Sequence, residues 1–123
     1  MKYIIMMNTM RAGHGVPEWP QKDLQAHIAF MVGLNKELRQ SGELVSAEGL
    51  SFPDQAKLVR AGKDGLPITD GVFPESKEFL AGYWIVDVEN EARALDIAKR
   101  VVAFIEGPIE VRQVMDTAPN FDD

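Results

Sequence analysis

Gly82-Tyr83-Trp84-Ile85-Val86-Asp87-Val88 carries the strongest strand signal in the chain, because aromatic and β-branched residues suit a pleated, half-buried surface. On such a strand Trp84, Val86 and Val88 fall on one face and Tyr83 and Ile85 on the other. Residues 2–8 repeat the pattern, with Tyr3, Ile5 and Met7 opposing Ile4 and Met6. A sheet with helices on one side and water on the other alternates apolar with polar residues, and these strands do not. Both of their faces call for cover.

Downstream of this strand, residues 91–104 read as a helix with Leu95, Ala98, Val102 and Ile105 on its inner face, and Gly107-Pro108 ends it. Residues 109–115 are a closing strand. Upstream, residues 23–40 place Leu24, His27, Ile28, Met31, Leu34 and Leu38 at helical spacing, with Ser41-Gly42 as the stop. Residues 43–49 form a strand, and two short runs at 56–60 and 66–69 flank Gly62-Lys63-Asp64-Gly65 as a hairpin. Residues 9–22 collect Gly13, Gly15, Pro17 and Pro20 into a long loop.

The resulting order is strand, helix, strand, hairpin, strand, helix, strand. It predicts an α+β fold, a ferredoxin-like split βαβ with an inserted β-hairpin and two helices on one face of an antiparallel sheet. Two helices cover only one face. A homodimer packed sheet to sheet is the expected cover for the second, and inserted segments folding back over that face are the alternative. Residues 1–115 are expected to form a single domain, and 116–123 a short acidic tail.

Composition narrows the function. At 123 residues with 46% hydrophobic and 26% charged residues, the chain has the makings of one ordinary globular domain. A net charge of −6 opposes nucleic-acid binding, which draws its affinity from clustered Lys and Arg. The chain has no cysteine, which removes disulfides and thiolate chemistry and suits a cytoplasmic location. No apolar run approaches the ~18 residues of a membrane helix. Two distant histidines make no metal constellation, and Gly13-His14-Gly15 lacks the third glycine of a dinucleotide loop, so no cofactor and no metal are expected.

His27 is the most informative single residue. An imidazole on the inner face of a helix is either a general base and ligand-orienting donor or a core histidine bonded to a strand carbonyl, and both readings stand. The ten residues from Thr69 to Glu78 gather Asp70, Glu75, Lys77 and Glu78 with two hydroxyls, enough to read a polar ligand. The same residues also suit a turn and a short helix opening at Pro74. Phe73 and Trp84 are large apolar groups able to wall an organic ligand.

Asp70-Gly71-Val72-Phe73-Pro74-Glu75-Ser76-Lys77-Glu78, then the strand from Gly82, then Ile109-Glu110-Val111-Arg112-Gln113-Val114-Met115, together resemble the YCII-related family in its DGPF-type branch. Glu48-Gly49-Leu50 also resembles the family's strand after the first helix. Val72 and Gln113 stand where the family pattern has proline. The resemblance implies a dimeric α/β barrel of ferredoxin-like subunits with a small-ligand pocket. Its chemistry would be that of a lyase or isomerase acting on small cyclic compounds, or of a non-catalytic ligand-binding module. It implies that His27 pairs with an aspartate as the catalytic dyad, Asp70 by its place in the signature or Asp87 as the alternative. Phe73, Glu75, Lys77, Trp84 and Asp87 are the substrate-contact candidates.

Overall fold

In the computed structural model the chain runs through β1 (Lys2–Met10), α1 (Gln21–Gln40), β2 (Leu44–Gly49), β3 (Leu58–Ala61), β4 (Pro67–Asp70), β5 (Glu78–Asp87), α2 (Glu91–Phe104) and β6 (Ile109–Gln113). The structure describes residues 1–10, 21–51, 55–63, 67–70, 78–105 and 108–117. The main sheet has the order β2-β5-β1-β6, and each neighbouring pair is antiparallel. β3 and β4 pair with each other as the inserted antiparallel hairpin. Without that hairpin the order and pairing are those of a split βαβ, so the fold is α+β and ferredoxin-like.

Local chemistry sets the element ends. Gly42 takes a positive φ of 81° just after α1, a conformation a Cβ disfavours. This lets Glu43 N–H donate to the Leu38 carbonyl at 2.9 Å and Gly42 N–H to that of Arg39 at 3.2 Å, the two bonds of a Schellman turn. The chain then reverses directly into β2. At the start of α2 the Asn90 side chain accepts from Arg93 N–H at 3.0 Å, satisfying a backbone donor of the first turn.

The core lies between the helices and one face of the sheet. Tyr3 and Ile5 of β1, Trp84 and Val86 of β5, and the adjoining Val88 are buried there against Leu34 and Leu38 of α1 and Ala94, Ile97, Ala98 and Val101 of α2. The expected strand faces therefore hold: Ile4, Met6, Tyr83 and Ile85 lie on the opposite side, where they are half-buried.

The helix faces hold in part, and one flank of each differs from the expectation. Ala98 and Ile105 are buried as expected, whereas Leu95 and Val102 are exposed and Ala94, Ile97 and Val101 take their places on the inner face. The reason is steric: small alanines let the helix approach the sheet closely, whereas the Leu95 stripe would hold it off. Ile28 is also exposed, and α1 turns His27, Leu34 and Leu38 inward with Phe30 and Met31 packed beside them. β5 begins earlier than its aromatic run implies, at Glu78, because β1 extends to Met10 and pairs with it. No helix among the described residues is long and apolar enough to cross a membrane.

Candidate functional site

His27 marks one end of the sheet. The Trp84 indole N–H donates to Asn35 Oδ1 at 2.7 Å, which fixes Asn35 of α1 at the level of Trp84 on β5. His27 lies two helical turns before Asn35, about 12 Å along the axis, and so belongs to the end where β5 enters and β1 leaves the sheet. Phe104 places the end of α2 there too, its ring centroid 6.3 Å from that of His27 with the planes tilted by 37°. Phe30, one turn after His27, stacks on Phe104 at 4.6 Å with the rings 4° from parallel. Two helices thus meet through three rings.

At this end two glycines face each other across neighbouring strands, with Met7 packed beside them. Gly82 of β5 pairs with Gly49 of β2 and Met7 of β1 on the helix-facing side. A β-bulge follows immediately, between Met7 and Asn8. At Gly82 a Cβ would fall 2.9 Å from the Glu48 carbonyl oxygen and 3.5 Å from Met7 Cε, so the close strand approach requires glycine. Beside it, a Cβ on Gly49 would meet nothing within 4 Å.

His27 is 7% exposed, with Nδ1 shielded from solvent. Burial lowers its pKa below the ordinary 6.5, because the charged imidazolium loses more hydration than the neutral ring. A neutral imidazole at neutral pH has a lone pair able to take a proton and a ring N–H able to give a hydrogen bond. Apolar walls sharpen both capacities by excluding competing water.

The other candidates fall in different places. Asp70 closes β4, with its backbone opposite Leu58, and its side chain lies outside the described residues. Phe73, Glu75 and Lys77, and His14, also lie outside them. Trp84 is 1% exposed within the core and bonded to Asn35, so it holds α1 on the sheet. Asp87 accepts from the Met1 amino group at 3.0 Å at the far end of β5, beside the turn out of α1. From Leu38 at that turn back to His27 is about 16 Å of helix, so Asp87 and His27 sit at opposite ends. Phe30 and Phe104 were not among the sequence candidates. The i, i+3 spacing of His27 and Phe30 was a legible signal, whereas Phe104 is recognisable only once the helices are packed.

A ferredoxin-like domain with a buried, helix-borne histidine walled by aromatic rings is the class that fold and site define. The family model of the YCII-related domain matches residues 1–118, and the chain belongs to that family. No curated protein matches it.

Proposed function

We propose that the chain is a small-molecule enzyme of lyase or isomerase type in which His27 moves a proton and Asp70 orients or charges it. The observation that carries this reading is His27 itself: an imidazole held neutral by burial, between the starting turns of α1 and the last residue of α2. A base of that kind removes a proton from a carbon next to a carbonyl, and returns it at another position or lets a neighbouring group leave. Asp70 is favoured over Asp87 because the sheet places Asp87 at the far end. Phe73, Glu75 and Lys77 follow Asp70 in sequence and would complete the ligand contacts. A direct test follows deuterium incorporation by NMR when a panel of small cyclic ketones and lactones is incubated with the protein in D2O. Exchange that wild type catalyses and His27→Gln does not is the expected result. Equal exchange by both proteins refutes the general-base role.

The second reading is a ligand-binding module without catalysis. Phe104 favours it, since this 40% exposed ring stacked on Phe30 is suited to apolar contact. Ligand-induced shifts of the His27 ring resonances without deuterium exchange would select it. In either reading we place a second copy of the chain on the outer sheet face, over Ile4, Met6, Tyr83 and Ile85. Support comes from their apolar character on the sheet face opposite the one that packs against α1 and α2. Ile85→Glu should turn that dimer into monomer in sedimentation velocity.

A further inference from the structure

His27 is buried, and a buried base meets a substrate only where something that covers it gives way. The apolar side chains that follow it along α1 are held in place: Leu34 and Leu38 are enclosed in the core, and Met31 packs against that core. Phe104 differs from them. Its ring lies 6.3 Å from the His27 ring between centroids, yet it is 40% exposed.

The backbone that carries this ring is anchored on both sides. Val101 is buried three residues before it and Ile105 immediately after it, and the Ile105 N–H donates to the Val101 carbonyl at 2.7 Å, closing the last turn of α2. The ring itself stacks on Phe30, and a stacked aromatic pair is a weak restraint, worth a small multiple of thermal energy. A helical phenylalanine keeps χ1 wells near 180° and −60° open, and an exposed side chain exchanges between such wells in picoseconds to nanoseconds. A fixed helix end thus carries a loosely held ring directly beside the imidazole.

We propose that Phe104 is a specificity-determining residue of the His27 site: its ring swings off Phe30 on the anchored end of α2, opens a path to the imidazole, and limits the size of what enters. The substrate side of this inference rests on the proton-transfer reading above; the covering of His27 does not. Because the swing is fast and weakly opposed, the open fraction sets how often a small molecule meets His27. The two rings have separate parts. Phe30 holds the closed position from within α1, and Phe104 moves.

Diethyl pyrocarbonate modifies the neutral imidazole and so reads the open fraction, with the product at His27 quantified by mass spectrometry. Phe104→Ala and Phe30→Ala should each raise the His27 rate about threefold to tenfold, the bias that one stacked pair exerts on an equilibrium, and Phe104→Trp should lower it. Hydrogen exchange should find the Ile105 amide equally protected in all four proteins, because the helix end stays closed. Equal modification of His27 in wild type and the Phe104 variants overturns the inference. A faster rate that comes with loss of Ile105 protection means that the last turn of α2 unwinds, and overturns it equally. Deuterium exchange with cyclopentanone and cyclooctanone tests selection by size: Phe104→Ala should favour the larger ketone over the smaller by about threefold or more relative to wild type. An unchanged ratio overturns the size limit. If His27 modification responds as expected while none of the proteins exchanges deuterium, the proton-transfer reading fails and the gate stands, guarding a binding pocket.

Discussion

Trp84 and Asn35 are joined by a 2.7 Å hydrogen bond across the helix–sheet layer, and this bond converts an apparent ligand wall into a structural pin. The indole is 1% exposed, so its N–H has little access to water. Asn35→Ala leaves a buried donor unsatisfied and should cost about 1–3 kcal/mol. Urea unfolding followed by far-UV circular dichroism measures this. The cost should shrink in a Trp84→Phe background, where no donor is left behind, and equal costs in both backgrounds would show that the bond contributes nothing.

The strands were legible because their signal is local. Residues 82–88 announce two apolar faces by simple alternation, and the structure sorts them as expected, with Trp84 and Val86 inside and Tyr83 and Ile85 outside. Helix phase was harder to read. Both Leu95 and Ala94 lie on plausible stripes, and the choice depends on how closely the helix approaches the sheet, a property of two elements together. The same holds for the site. His27 was recognisable from its spacing within α1, but the ring of Phe104 reaches it from a helix more than sixty residues later. Asp70 was recognisable only through its signature, and no local periodicity fixes where its carboxylate goes.

Gly82 and Gly49 face each other in the same register pair and should respond oppositely to a methyl group. Gly82→Ala drives a Cβ to 2.9 Å from the backbone oxygen of Glu48, which only a shift of the strand can relieve. A loss of about 1–3 kcal/mol is expected. Gly49→Ala meets open space and restricts the unfolded chain, so it should be neutral or stabilising by up to about 1 kcal/mol. Thermal melts of the two variants give the comparison, and a Gly82→Ala protein as stable as wild type would contradict the close approach.

Arg93 and Glu43 lock the start of α2 to the turn between α1 and β2. Nε donates to Oε2 and Nη2 to Oε1, both at 2.8 Å, and the Ser41 hydroxyl donates to Oε1 at the same distance. The Arg93 hydrogen bond is the main cause holding the Glu43 carboxyl below its ordinary 4.5, against the opposing effect of burial. Because the folded pKa is depressed, the stabilisation is present above about pH 4.5 and is lost as pH falls through the folded value. Arg93 is 38% exposed, so screening limits the coupling to about 1 kcal/mol. A double-mutant cycle with Glu43→Gln and Arg93→Met should show that coupling at pH 7, and the coupling should shrink as acid protonates the folded Glu43 carboxyl below pH 4.5.

The His27 pKa is lowered by folding as that of Glu43 is, although the fold favours the neutral form of the imidazole and the charged form of the carboxylate, so the two act on stability in the same direction. The unfolded imidazole takes its proton near the ordinary value of 6.5, while burial delays the folded one to lower pH. Between those two values the unfolded chain holds more protons, so stability rises with pH across the window and is unaffected by this group above it. Acidifying from about pH 7.5 to pH 5 should therefore destabilise wild type more than His27→Gln, since glutamine carries no titrating group. Glu43 contributes little over that range because its carboxyl titrates below it. Urea unfolding at several pH values in the two proteins isolates the difference. Parallel pH profiles would mean that His27 is not held neutral by the fold, and the proton-transfer role proposed for it would lose its physical basis.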